Sequence, residues 1–96
     1  MDSDRESRTV RLRITGRVQG VGYRAWTCEA ARGLGLAGWV KNEADGAVLA
    51  LAHGPEATLE RFRAQLAEGP PHARVSDVAA EAVETPLGLS GFRIVW

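Results

Sequence analysis

Apolar and polar positions alternate from residue 10 onward: Val10, Leu12 and Ile14 stand between Arg11, Arg13 and Thr15. A period of two predicts a strand with one buried face. Farther on, Tyr23, Trp26, Ala30 and Leu34 recur at helical spacing, with Gly33 and Gly35 supplying the stop. Gly38-Trp39-Val40-Lys41-Asn42 and the apolar run 47–52 flank Glu43-Ala44-Asp45-Gly46. The Asp-Gly pair predicts an antiparallel hairpin, since tight hairpin turns need positive φ. Gly54-Pro55 predicts the start of a second helix, with Pro55 at its first position and Leu59, Phe62 and Leu66 as its apolar stripe. Gly69-Pro70-Pro71 ends that helix, Val75 to Val83 reads as a fourth strand, and Pro86-Leu87-Gly88 as a turn. Phe92 to Trp96 reads as a short last strand with Phe92, Ile94 and Trp96 on one side. Residues 1–7 are polar and mixed in charge and read as a disordered tail, leaving 8–96 as a single domain.

The order is βαββαβ followed by a terminal strand. Two split βαβ halves pack both helices on one face of an antiparallel sheet, so the expected class is α+β, a ferredoxin-like sandwich. Ninety-six residues, 45% of them hydrophobic, suffice for one core and no separate substrate domain. Leu49 and Leu51 share a strand face opposite Val48, Ala50 and Ala52, so one of these faces is expected to be uncovered sheet and a weak self-association surface. A monomer is otherwise expected.

Twelve basic and twelve acidic side chains cancel, which argues against binding nucleic acid or an anionic membrane through bulk charge. RNA-binding βαββαβ modules present aromatic side chains on their central strands, and residues 47–52 contain none. No apolar run approaches the ~20 residues of a membrane span, and no leader segment is evident. The single cysteine, Cys28, fits a reducing compartment, so the expected location is the cytoplasm.

The charge is unevenly spread. From Arg8 to Arg24 there are five arginines and no acidic residue. Within that stretch Gly16-Arg17-Val18-Gln19-Gly20-Val21-Gly22-Tyr23-Arg24 leads from a strand into a helix. Gly20 and Gly22 permit backbone angles that let successive N–H groups converge on one point beside the positive end of the helix dipole. Arg24 in the first turn opposes that dipole, at a cost of roughly 0.3–1 kcal/mol, unless an anion sits between them. The loop is neither of two familiar phosphate loops. A Walker motif starting at Gly16 requires Gly-Lys-Ser/Thr where Val21-Gly22-Tyr23 stands, and the dinucleotide fingerprint would need a second βαβ unit.

Each residue also has a plain structural reading. Arg24 without its loop is a solvated helix arginine; Asn42 before a turn commonly bonds its own backbone. Lys41 points to solvent from the opposite strand face. Cys28 has no histidine close in sequence, so it reads as a small packed thiol and not a nucleophile. His53 and His72 lack companions at ligand spacing, so no metal or other cofactor is expected. Trp26 reads as core, while Trp39 and Trp96 lie on strands with part of each ring exposed.

Taken together, Val18 to Arg24, Gly38-Trp39-Val40-Lys41-Asn42 with Asp45-Gly46, Gly54-Pro55, Phe62, Leu66, the Gly69-Pro70 region, Ala73, Val75 and Phe92-Arg93-Ile94 resemble the acylphosphatase family. Two positions depart from the family's pattern: Tyr23 stands where phenylalanine is usual, and Leu49 where a polar or acidic residue is common. The resemblance implies hydrolysis of an acyl phosphate to carboxylate and inorganic phosphate, without metal or covalent intermediate. It implies that Arg24 clamps the phosphoryl oxygens, that the backbone N–H groups of Gln19, Gly20, Val21, Gly22 and Tyr23 complete the cradle, and that Asn42 orients the attacking water. A non-catalytic anion-binding or accessory domain, of the kind found at the front of larger carbamoyl-transferring maturation proteins, is the alternative. The short chain, with no zinc-finger cysteines downstream, favours a free-standing enzyme.

Overall fold

A computed structural model describes residues 6–96 and contains seven elements. They are β1 (Ser7–Arg17), α1 (Tyr23–Gly33), β2 (Ala37–Asn42), β3 (Val48–Pro55), α2 (Glu56–Glu68), β4 (Arg74–Val83) and β5 (Phe92–Ile94). The sheet runs β4-β1-β3-β2-β5. This is the expected ferredoxin-like arrangement with one refinement: β5 joins β2 in parallel, so the sheet is mixed, not wholly antiparallel. The segment after β4 has to cross from one sheet edge to the other, and the strand it delivers runs the same way as β2. The predicted tail falls mostly on residues 1–5, outside the described residues; Ser7 already pairs with Pro55 at the start of β1.

The alternation in β1 does what its period predicts. Leu12 and Ile14 are buried toward the helices, as are Val48, Ala50 and Ala52 of β3. Leu59, Phe62 and Leu66 of α2 close over them, with Phe62 edge-on to Phe92 at 5.9 Å between ring centroids. The opposite face of the sheet is the one carrying Leu49 and Leu51. Leu51 is nonetheless only 6% exposed, in a face dressed by the ion pairs Arg11–Glu81 and Arg13–Asp45 and by Lys41 over the Trp39 ring. Long charged side chains shield apolar surface with their stems.

Three local expectations need adjustment. In α1 the buried stripe is Tyr23, Thr27, Ala31 and Cys28, while Trp26 and Ala30 are half-buried at its edge. Tyr23, Thr27 and Ala31 follow one another at a spacing of four, and this face of the helix, not the one centred on Trp26, turns inward. Pro55 ends β3 and caps α2 with φ −61° and ψ 145°, one residue before the helix proper. Trp96 lies beyond β5 and is 92% exposed, whereas Phe92, expected on the same side, is 3% exposed.

Two devices aim the segment between β1 and α1. The β1–β4 register shifts between Thr15 and Gly16. There φ is +120°, and a Cβ on Gly16 would lie 2.2 Å from the Arg74 carbonyl oxygen, so only glycine lets the backbones approach this closely. At the far end of α1, the Leu36 N–H bonds the Ala31 carbonyl and the Gly35 N–H the Arg32 carbonyl. This paired termination satisfies carbonyls that a helix end leaves open and turns the chain sharply into β2.

Candidate active site

The loop from Val18 to Gly22 joins β1 to α1. Val18 is buried and anchors it, and Val21 packs partly against the core. Gly20 (φ 73°) and Gly22 (φ 77°) both adopt the left-handed conformation, with Val21 between them. A Cβ on either would meet nothing, so these glycines are required by backbone angle, not by crowding. Gly22 caps α1 without any side-chain bond, and its carbonyl accepts from the Trp26 N–H at 3.1 Å. The N–H groups of Tyr23, Arg24 and Ala25 in the first turn therefore have no partner within the helix, and that turn holds no acidic residue.

These residues meet Asn42 in one small cavity. It encloses about 170 Å³ between Val18, Gly20, Gly22, Tyr23, Arg24, Ala25, Asn42 and Ile94. Asn42 is the last residue of β2, paired with Val48. Its Oδ1 is buried without a hydrogen-bond partner among the described residues. A buried amide oxygen left unpaired costs about 1–3 kcal/mol, so such an acceptor is kept where something else donates to it. Arg24, the start of α1 and Asn42 thus line the same space. This arrangement suits a tetrahedral oxyanion beside a water molecule.

Of the loop residues, Gln19 has a role its side chain alone reveals. Its Nε2 donates to the carbonyls of Glu43 and Ala47, each at 2.8 Å, and so fastens the loop to the turn that follows Asn42. Nothing in the local sequence signals this, because its partners lie 24 and 28 residues away. Tyr23 is 1% exposed, and its hydroxyl donates to the Leu66 carbonyl at 2.7 Å, tying the start of α1 to the end of α2. Burial pushes that phenol well above the ordinary tyrosine range, so it stays protonated.

Arg24 has a companion that the alternation placed wrongly. The Trp96 ring lies 4.5 Å from the guanidinium carbon. Stacking uses the flat face of the guanidinium and leaves its N–H donors at the rim, where an oxyanion binds. Elsewhere, Lys41 lies over Trp39 and 3.9 Å from Glu43 on the far side of the sheet, away from the cavity. Cys28 is 4% exposed, and burial, opposed by the nearby Arg32 charge, raises its thiol above the usual range. The His53 ring and the Thr9 hydroxyl are hydrogen-bonded at 2.8 Å, and among the described residues no group of three metal-ligating side chains occurs.

Residues 10–94 match the family model described as Acylphosphatase. The chain belongs to the acylphosphatase family. A protein named acylphosphatase from Rhodospirillum rubrum is 56% identical over 79 residues, covering 82% of this chain and 87% of the relative. The crystal structure of acylphosphatase from Bacillus subtilis superposes with a TM-score of 0.88 at 38% identity, covering 95% of this chain and all of that one. An acylphosphatase-like fold also occurs inside a much longer protein: T. kodakarensis HypF matches with a TM-score of 0.83 at 26% identity, over 93% of this chain and 12% of its own.

Proposed function

We propose that the chain hydrolyses acyl phosphates, with the phosphoryl group held by Arg24 and the backbone N–H groups from Gln19 to Tyr23, and the attacking water oriented by Asn42. The observation that carries this reading is that Asn42, whose buried Oδ1 has no hydrogen-bond partner among the described residues, lines one cavity with Gly20, Gly22 and Arg24. An amide oxygen accepts from the water while the amide nitrogen donates to a phosphoryl oxygen, which fixes the nucleophile against its target. The water oxygen bonds to phosphorus, the bond from phosphorus to the acyl oxygen breaks, and the carboxylate leaves with that electron pair. The water's proton passes to a phosphoryl oxygen. A carboxylate leaves readily and the transition state is loose, so positioning and charge stabilisation suffice without a general base.

The test is hydrolysis of benzoyl phosphate by the protein in EDTA, beside Arg24→Ala and Asn42→Ala variants whose folding is checked by circular dichroism. Each variant is expected to lose about 10²-fold or more in turnover, by analogy with the removal of preorganised oxyanion donors. Arg24→Ala should additionally weaken inhibition by inorganic phosphate more than Asn42→Ala does. Turnover near wild type in Arg24→Ala would sink the mechanism. A folded wild type that binds phosphate but hydrolyses nothing would favour an anion-binding accessory module.

A further inference from the structure

We propose that the groove between α1 and β5 receives the acyl group of the substrate and so selects acyl phosphates with extended apolar chains. This rests on the acyl phosphate reading above and adds to it the side of the site that faces the leaving group. The groove encloses about 580 Å³ and is lined by Ala25, Trp26, Cys28, Glu29, Arg32 and Ile94. Ala25 and Ile94 also line the cavity that contains Arg24 and Asn42. The two concavities therefore adjoin at this pair of apolar side chains.

A phosphoryl group seated against the loop has backbone on one side and Asn42 on another. Its acyl substituent then has the Ala25–Ile94 side as an apolar way out. Four of the six lining side chains are apolar or thiol, and Cys28 stays neutral because burial raises its pKa. The two walls are fixed relative to each other by the protein's own hydrogen bonds. Arg32 Nε donates to the Phe92 carbonyl at 2.9 Å, while Gly38 N–H to Gly91 and Val95 N–H to Val40 bracket β5 on the edge of β2. Trp26 is braced against Tyr23, with 5.5 Å between ring centroids. A preformed apolar trough beside a polar cavity is the usual build of a small-ligand site.

Two series test this: kcat/KM for acetyl, butyryl, hexanoyl and octanoyl phosphate, and inhibition by the matching alkyl phosphates, which needs no turnover. Each methylene that enters the groove should improve both by roughly two- to four-fold until the trough is filled, from the transfer value of a half to fully buried CH₂. Trp26→Ala should flatten both slopes, and Trp26→Leu, which keeps an apolar wall, should restore most of the lost slope. Hydrolysis of acetyl phosphate with no dependence on chain length would overturn the groove and leave the activity standing. No hydrolysis of any substrate, with alkyl phosphates still binding more tightly as they lengthen, would support the groove and overturn the activity.

Discussion

Replacing Tyr23 with phenylalanine removes one oxygen atom from the junction of the two helices. Leu66 lies in the last turn of α2, where carbonyls have no donor within the helix, and the Gly69 N–H already serves Gln65 at 2.9 Å. The Tyr23 hydroxyl, at 2.7 Å, is the partner that the Leu66 carbonyl has in the folded protein. Its loss leaves a buried acceptor unpaired, while the ring, 1% exposed, keeps its packing. The expected cost is about 1.5 kcal/mol, between the net value of a hydrogen bond and the full desolvation penalty of an orphaned carbonyl. For a domain of this size that is a fall in Tm of roughly 6–12 °C. Urea unfolding followed by far-UV circular dichroism measures the free energy directly, with an unchanged m-value showing that the unfolded state is unaffected. The bond persists through the mildly alkaline range, since burial holds the phenol protonated, so the difference between the two proteins should not shrink between about pH 7 and pH 9. Equal stability of the two proteins would refute the argument that this hydroxyl is what satisfies the end of α2.

Two further outcomes are expected. Trp96→Ala should weaken competitive inhibition by inorganic phosphate about two- to five-fold, the worth of an exposed cation–π contact of about 0.5–1 kcal/mol, with Trp96→Phe retaining most of it; tighter inhibition would mean that the ring obstructs Arg24. Asp45 has its pKa held below 3.8 by the Arg13 hydrogen bond first and the Ala47 N–H second. The stability it contributes is therefore present above its unfolded pKa and is lost as pH falls through the folded one. Acid titration of unfolding should show a shallower loss below about pH 4 in Asp45→Asn than in the wild type, and identical curves would remove Asp45 from the account.

Much of this protein is local chemistry, and that part is legible along the chain. The alternation of Val10, Leu12 and Ile14 determines which face of β1 goes inward, because side chains of a strand alternate whatever it packs against. Asp45-Gly46 determines the hairpin, and the left-handed conformations of Gly20 and Gly22, with no side chain crowding them, belong to the loop itself. Arg24 follows two residues behind, so the cation and the helix start arrive together. Tertiary structure decided what depends on distant partners. The rotation of α1 puts Tyr23, Thr27 and Ala31 inward and Trp26 at the rim, because the face a helix buries is settled by what it packs against as well as by its own apolar positions. Asn42 meets the loop because α1, which the loop opens, packs across β2 and β5, and the Gln19 clamp on the hairpin spans residues no sequence window connects. Trp96 leaves the line of Phe92 and Ile94 to stack on Arg24, since an exposed residue past the last strand obeys its nearest favourable contact and no longer the pleat of a sheet.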